Sequence, residues 1–372
     1  MKKLSSAIEF ASAAIVRYAF FIVLAAVLFL GLSPLVQASE KPLKIGFISA
    51  SEIGPFGWTY SHDLGRMELE KHFGERIRTA VYAENNADES TVEAVLQNML
   101  EDGYKMIFGL AYEYSDLLHR YAKQYPDVAF EICTGSTIAQ NVSTYSARFY
   151  EGRFAAGALA AKMSSTGKIG YIGSVPIPEV VRGINSVALG AKRVSPDSEV
   201  LALYINSWSD PELEIDAALF LISEGADVLI THTNAQRALV VAEQHGIWGF
   251  GKASDMTFVA PNAHLATIAN DWGQYYIHRV DAMLDGSWEP IQNWGGKFGP
   301  TTKLTHYNKA QISPDVIEFV QTMENQVRSG KLHPFAGPIN GIQGDLAVPD
   351  SKVLSDTELH DMNWYVEGVR LY

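Results

Sequence analysis

From residue 43 onward, short apolar runs typical of strands alternate with longer segments whose apolar residues recur every three or four positions. The helical pattern is clearest in residues 90–102, where one buried face is formed by Val92, Val95, Leu96, Met99 and Leu100. Regular alternation of strand and helix predicts βαβ units, with parallel neighbouring strands and helices on both faces of the sheet. The first series predicts strands at 43–50, 78–84, 106–111, 128–134 and 144–149, with helices at 62–73, 90–102 and 114–124.

The same alternation then restarts. Predicted helices follow at 152–163, 179–194, 212–225, 235–245, 272–284 and 314–329, with strands at 168–173, 199–206, 227–232, 248–252 and 265–270. Two βα series of similar size predict two α/β lobes, with a ligand cleft where the carboxyl ends of their strands meet. We expect the first lobe to comprise 39–147 plus about 255–288, and the second 148–254 plus about 289–372.

The first 38 residues have the composition of an export signal. Lys2 and Lys3 precede an apolar run at residues 18–32, and the small-residue site Val36-Gln37-Ala38 follows. This pattern predicts a secretory signal peptide cleaved after Ala38. The alternative is an uncleaved anchor helix, because the apolar run is nearly long enough to span a bilayer.

Charge and cysteine content narrow the class of protein further. The formal net charge is −13 over 372 residues, and removal of the N-terminal segment makes it more negative. An acidic surface argues against nucleic acid and anionic membranes as partners. Cys133 is the only cysteine, so no intrachain disulfide and no lipid-acceptor cysteine after the signal are expected.

No motif predicts catalysis, a metal site or a cofactor. The sequence has no GxxxxGK[ST] loop, no GxGxxG after a strand and no GxSxG elbow. The histidines His232, His245, His264 and His278 lack partners at metal-ligand spacings. We therefore expect a binding protein without a cofactor rather than an enzyme.

Aromatic and polar residues recur just beyond the predicted strand ends, which is where ligands collect in open α/β sheets. The candidate ligand-binding residues are Trp58, Thr59, Tyr60, Tyr114, Trp208, Asn234, Asp255, Asp271 and Trp272. Such a set favours a planar heterocycle, held by ring faces and by hydrogen bonds to its edge. Helix capping is the alternative for Asp210, which precedes Pro211, and for Asn234. For Trp58 the alternative is a loop aromatic that covers a helix beginning near His62.

Several segments together resemble one known family. They are Gly57-Trp58-Thr59-Tyr60 with His62-Asp63, Arg148-Phe149-Tyr150-Glu151-Gly152, residues 177–185, Asn206-Ser207-Trp208, Ala253-Ser254-Asp255-Met256 and residues 333–338. From about Leu43 to Pro338 the chain resembles the basic membrane protein family of ABC-transporter substrate-binding proteins. This resemblance implies the type I periplasmic-binding-protein fold and a cargo of purine nucleosides, nucleobases or related heterocycles.

The resemblance also implies which residues hold the ligand. Trp58 and Trp208 correspond to the two aromatic rings that sandwich the base in nucleoside-binding members. Thr134, Ala253 and Asn270 stand where those members carry charged or strongly polar groups around the ribose. A free nucleobase such as adenine is therefore the expected ligand.

The resemblance implies a monomer in the periplasm that delivers its ligand to an ABC-transporter permease. Three alternatives stay open on the sequence. They are a nucleoside-binding protein of the same fold, a sensor ectodomain, and a periplasmic nucleosidase.

Overall fold

A first parallel sheet organises the N-terminal part of the structure, a computed structural model that describes residues 41–84, 88–234, 236–296 and 299–372. Its strands are β1 (Leu43–Ser49), β2 (Ile77–Ala83), β3 (Met106–Gly109), β4 (Ala129–Cys133), β5 (Val142–Ser146) and β11 (Gln292–Trp294). Among the described residues they lie in the order β11-β5-β4-β3-β1-β2, and every pairing is parallel.

Helices cover both faces of this first sheet. They are α1 (Gly57–Phe73), α2 (Glu89–Glu101), α3 (Ser115–Ala122) and α8 (Gly273–Asp285). Because successive strand residues point to opposite faces, Phe47 packs in the core under α1 and α8, whereas Ile48 packs in the core under α2 and α3. We refer to this sheet and its helices as the first lobe.

A second sheet forms the core of the other lobe. Its strands are β6 (Lys168–Gly173), β7 (Glu199–Tyr204), β8 (Val228–Thr231), β9 (Trp248–Ala253), β10 (His264–Asp271), β12 (Thr301–Thr305) and β15 (Val369–Leu371). Among the described residues they lie in the order β12-β10-β9-β8-β6-β7-β15. Strand β12 is antiparallel to β10, and the other pairings are parallel. The second lobe also contains α4 (Phe149–Met163), α5 (Pro178–Lys192), α6 (Pro211–Ser223), α7 (Arg237–His245) and α9 (Pro314–Arg328).

Judged from the described strands and helices, the chain passes between the two sheets three times. It crosses between β5 and α4, between β10 and α8, and between β11 and β12. Strand β10 therefore lies in the second sheet, although residues 255–288 were expected in the first lobe, and β11 lies in the first sheet although it falls beyond residue 289. Backbone pairing of β10 with β9 and β12 decides this, and strand periodicity carries no information about the partner strand.

The C-terminal region also contains regular elements. A two-stranded ribbon of β13 (Ile339–Asn340) and β14 (Leu346–Val348) precedes helix α10 (Asp356–His360), and β15 then adds an edge strand beside β7. The predicted signal peptide lies outside the described residues. None of the described helices has the length and apolar character needed to cross a membrane.

Candidate functional site

Helix α1 begins five residues earlier than predicted, which changes the setting of the first aromatic cluster. It starts at Gly57, whose φ of 89° is readily adopted by glycine, and the prediction of a start at His62 was wrong. Trp58, Thr59 and Tyr60 consequently occupy the first turn of α1 instead of a loop. The local sequence gave no sign of this start, because α1 has no side-chain cap of its own.

The missing cap is supplied by the second lobe. The main-chain N–H of Gly57 donates to Ser254 Oγ at 2.8 Å, and that of Trp58 donates to Asn234 Oδ1 at 3.0 Å. These N–H groups are among the unpaired donors that every helix N-terminus presents. The contact between the two lobes therefore completes the capping of α1.

Trp58 is half-buried and held on three sides. Its Nε1–H donates to the carbonyl oxygen of Leu110 at 2.8 Å, and its ring meets His62 and Trp272 edge-on at centroid distances of 4.6 and 5.2 Å. The side chain of Trp58 is therefore held in one orientation, so it has little rotamer entropy left to lose.

Trp208 belongs to the second lobe, in the segment between β7 and α6. Its carbonyl oxygen accepts a hydrogen bond from the main-chain N–H of Asn234 at 2.7 Å, and its half-buried ring lies edge-on to His232 at 6.1 Å. Asn234 thus contacts the backbones of both tryptophans. Its side-chain oxygen accepts from the N–H of Trp58. Asp210 caps α6, as the capping alternative predicts, because its Oδ1 accepts from the N–H groups of Glu212 and Leu213.

Strained backbone marks the strand ends around these residues. Thr134, Asn206 and Ala253 have φ values of 57°, 51° and 66°, and they follow or end β4, β7 and β9. Left-handed conformations are costly for residues other than glycine, and they concentrate at ligand sites that the surrounding structure holds in place. The strain is found in both lobes at the edge where the candidate tryptophans lie.

Two of the predicted carboxylates lie at this edge and are already paired. Asp255 accepts hydrogen bonds from the N–H and the hydroxyl of Thr257, and its Oδ2 lies 3.7 Å from His306 Nε2. Burial opposes ionisation, but the bonds from Thr257 lower the pKa of Asp255 below its ordinary value. Asp271 Oδ2 accepts from Lys303 Nζ at 3.2 Å across the β10–β12 pair.

The other predicted residues are less accessible. Thr59 is buried, and its hydroxyl is within hydrogen-bond distance of Ser49 Oγ and Ser51 Oγ, at 2.7 and 2.6 Å. Tyr60 is half-buried in α1. Tyr114 packs into the core under α2 and α3, where burial raises its pKa to about 12.

Trp272 occupies the core of the first lobe and is only 1% exposed. Its ring stacks on His62 at 4.1 Å, and its Nε1–H donates to Ser61 Oγ at 3.0 Å. In this position it supports the indole of Trp58 from behind.

A chain of polar side chains also reaches the same edge from inside the second lobe. Arg153 Nε–H donates to Tyr171 Oη at 3.1 Å, Tyr171 Oη lies 3.0 Å from His232 Nδ1, and His232 Nε2 lies 3.2 Å from Glu179 Oε1. Burial and the nearby guanidinium of Arg153 lower the pKa of His232 to about 3. His232 is therefore neutral at physiological pH.

The sequence of this chain matches a known family. Residues 43–296 match the family described as ABC transporter substrate-binding protein PnrA-like. The chain belongs to this family. The family resemblance expected from the sequence is thereby confirmed.

Two relatives of this PnrA-like chain are similar to it over most of their length. A purine-binding protein of Brucella abortus is 43% identical over 331 residues, which are 89% of this chain and 94% of the relative. A putative ABC-transporter glucose-binding protein of Haloferax volcanii is 31% identical over 88% of this chain and 81% of its own. An ABC-transporter solute-binding protein from Conexibacter woesei superposes with a TM-score of 0.66 at 19% identity, over 78% of this chain and 98% of its own. The expected type I periplasmic-binding fold is confirmed.

Sequence reasoning missed the polar chain of this PnrA-like protein. His232 was considered as a metal ligand and as one of the polar residues just beyond a strand end, and Glu179 only as part of a family segment. The available signal was the pair Pro178-Glu179 in the segment that follows β6, because a proline at the first helical position followed by an acidic residue marks a helix N-terminus.

Proposed function

We propose that this substrate-binding protein of an ABC transporter binds a purine-like heterocycle, preferably a free nucleobase such as adenine, between Trp58 and Trp208. The observation that carries the proposal is the double contact of Asn234, which bonds the main chain of Trp58 on one lobe and that of Trp208 on the other. The purine-binding relative at 43% identity supports the ligand class.

Binding would combine stacking with hydrogen bonds to the edge of the base. Stacking on an aromatic side chain contributes about 1–3 kcal/mol per base in other proteins. Polar groups from Asn234, Asp255 and Asp271 would select among bases, because a buried group left without a partner costs about 1–3 kcal/mol. Tyr60 and Thr59 line the same turn, Tyr114 closes the first-lobe side, and Trp272 supports Trp58.

The preference for a base over its nucleoside rests on how few groups are free to bind a sugar. The Thr134 hydroxyl donates to the carbonyl oxygen of Cys133 at 2.7 Å, and Asn270 Oδ1 accepts from Thr302 Oγ1 at 3.1 Å. Ala253 offers no polar side chain. Sugar hydroxyls at these positions would be left without partners.

The proposal includes the route of the ligand. Removal of the signal peptide predicted at residues 1–38 would release a monomer into the periplasm, where it would present the closed lobes to the ABC permease without catalysing a reaction. Nucleic acid has no part in this function, consistent with the net charge of −13.

Calorimetric titration of adenine, adenosine, guanine, guanosine and glucose into the purified protein tests the proposal. We expect binding of a purine and tighter binding of base than nucleoside. Binding of glucose alone would overturn the ligand class and favour a sugar cargo, as the name of the Haloferax relative suggests for that protein. Chromatography after long incubation with adenosine should show no free adenine, whereas its appearance would favour a nucleosidase.

A further inference from the structure

The polar chain that ends at Glu179 has a fixed direction. Glu179 is ionised, because the bond from His232 and the charges of Arg182 and Arg153 outweigh burial and hold its pKa below the ordinary value. An ionised carboxylate only accepts, so the proton shared with Glu179 must be on His232 Nε2.

That assignment determines the rest of the chain. A neutral histidine protonated on Nε2 has an acceptor at Nδ1, so the Tyr171 hydroxyl donates to it. The Tyr171 oxygen in turn accepts from Arg153 Nε–H. Each donor therefore points toward Glu179, and the chain cannot be reversed without leaving the guanidinium donor of Arg153 facing another donor.

Glu179 lies where the two lobes face each other. It is in the first turn of α5, after the carboxyl end of β6, and its side chain is 21% exposed. Burial and then the charge of Glu179 raise the pKa of the thiol of Cys133, which ends β4 in the opposite lobe. On the second-lobe side, its partner His232 lies beside the Trp208 ring.

One oxygen of Glu179 remains available to a ligand. Oε1 accepts from His232, and no described residue donates to Oε2. A partly exposed, ionised acceptor favours a ligand that donates to it, because a carboxylate oxygen left without a partner when a ligand displaces water is costly.

We propose that Glu179 is the second-lobe acceptor that selects ligands carrying an exocyclic amino group on the edge of the heterocycle. The inference rests on the proposed function, since it assigns one polar contact within that purine site. Adenine, with its exocyclic amino group, satisfies Glu179, whereas unsubstituted purine lacks that donor.

The polar chain also predicts what an amide does at this position. In Glu179→Gln the carbonyl oxygen must face His232 Nε2–H, so the amide NH₂ group points at the ligand. The variant then opposes the adenine amino group with a second donor. We therefore expect Glu179→Gln to lose the preference for adenine over purine. An equal weakening of both ligands, which would leave that preference unchanged, is not expected.

The experiment measures the ratio of the adenine and purine dissociation constants by calorimetry. Wild type should favour adenine by roughly tenfold or more, and Glu179→Gln should remove that preference. Glu212→Gln is the matched control, because Pro211-Glu212 begins α6 as Pro178-Glu179 begins α5, but Glu212 is exposed and outside the polar chain. Its ratio should equal that of wild type.

Each outcome decides the inference. One outcome is that the ratio of the adenine and purine dissociation constants is the same in wild type and in Glu179→Gln. In that case Glu179 does not bind the amino group, and the proposed purine function stands without this contact. If wild type binds neither adenine nor purine, the proposed function and the inference both fail. Should Glu179→Gln not fold, Glu179→Asp keeps the charge but withdraws the carboxylate by one methylene. An unchanged ratio in that variant would also refute the inference.

Discussion

The main-chain N–H of Trp58 donates to the side chain of Asn234 at 3.0 Å, and the two residues belong to different lobes. Together with the bond from Gly57 to Ser254, this contact gives α1 an N-terminal cap that is supplied by the other lobe. If the ligand binds between the lobes as proposed, we expect its affinity and the capping of α1 to be coupled, because both favour the same arrangement of the lobes.

Asn234→Ala should weaken purine binding without unfolding the protein. Loss of a helix cap costs about 0.5–2 kcal/mol, which corresponds to about 2- to 30-fold in affinity when the cap forms only on closure. Calorimetry gives the affinity, and small-angle scattering gives the open fraction. Asn262→Ala is the control, because Asn262 bonds Glu243 within its own lobe. Equal effects of the two substitutions would contradict the coupling.

Trp208→Ala should reduce purine affinity by about 5- to 150-fold, the equivalent of 1–3 kcal/mol for one stacked face. Trp208→Phe should recover part of the loss because it keeps a ring.

Trp58→Ala should show the same loss of purine affinity and also a lower melting temperature, since the indole also bonds Leu110 and packs on Trp272. Trp248, at the opposite end of β9, provides the control. Unchanged affinity in both Trp208→Ala and Trp58→Ala would remove the sandwich.

Adenine should bind more tightly than adenosine, and guanine more tightly than guanosine. The expected difference is at least about fivefold, because a buried sugar hydroxyl without a partner costs about 1–3 kcal/mol. Side-by-side titration of the four compounds measures it. A clear preference for either nucleoside over its base would show that the site provides sugar contacts that Thr134, Ala253 and Asn270 do not explain.

Glu131→Gln should destabilise the first lobe strongly. Glu131 is fully buried and accepts from Arg279 Nε at 2.7 Å, Tyr275 Oη at 2.6 Å and Trp288 Nε1 at 2.8 Å, so it fastens α8 to the sheet. Removal of one charge from a buried pair costs about 3–5 kcal/mol, because the partner charge stays buried. Urea unfolding measures the change.

The exposed pair of Glu199 and Arg370 provides the comparison for Glu131. Glu199→Gln should have little effect on stability, because solvent screens an exposed pair. If Glu131→Gln and Glu199→Gln unfold at the same urea concentration, α8 is held by apolar packing alone.

Stability should fall as the pH drops below about 6.5, partly because of His264. Burial lowers the pKa of this histidine to about 4, so between these values the unfolded state binds its proton and the folded state does not. Across that pH range, His264 lowers the free energy of unfolding by about 1.4 kcal/mol for each unit that the pH falls. Urea unfolding of wild type and His264→Gln at several pH values should show a difference that shrinks with acidity. A constant difference would contradict the assignment.

The elements of the two βα series could be predicted from periodicity, and β6 has the predicted bounds, 168–173. What failed depends on distant partners. The start of α1 depends on Ser254 and Asn234, which lie far along the chain, and the sheet that β10 joins depends on β9 and β12. Trp272 is part of a repeated aromatic pattern in the sequence, but its neighbours His62 and Ser61 place it in the core.

The three chain crossings between the lobes have a mechanical consequence. A single tether would let one lobe swivel freely about the other, whereas three separate connections leave little except a common bend. Two separate bodies lose orientational freedom when they associate. In this protein most of that freedom is already lost when the chain folds, before any ligand binds. Ligand binding needs to supply only the free energy of that bend, so a small molecule with few contacts is sufficient to hold the two lobes together.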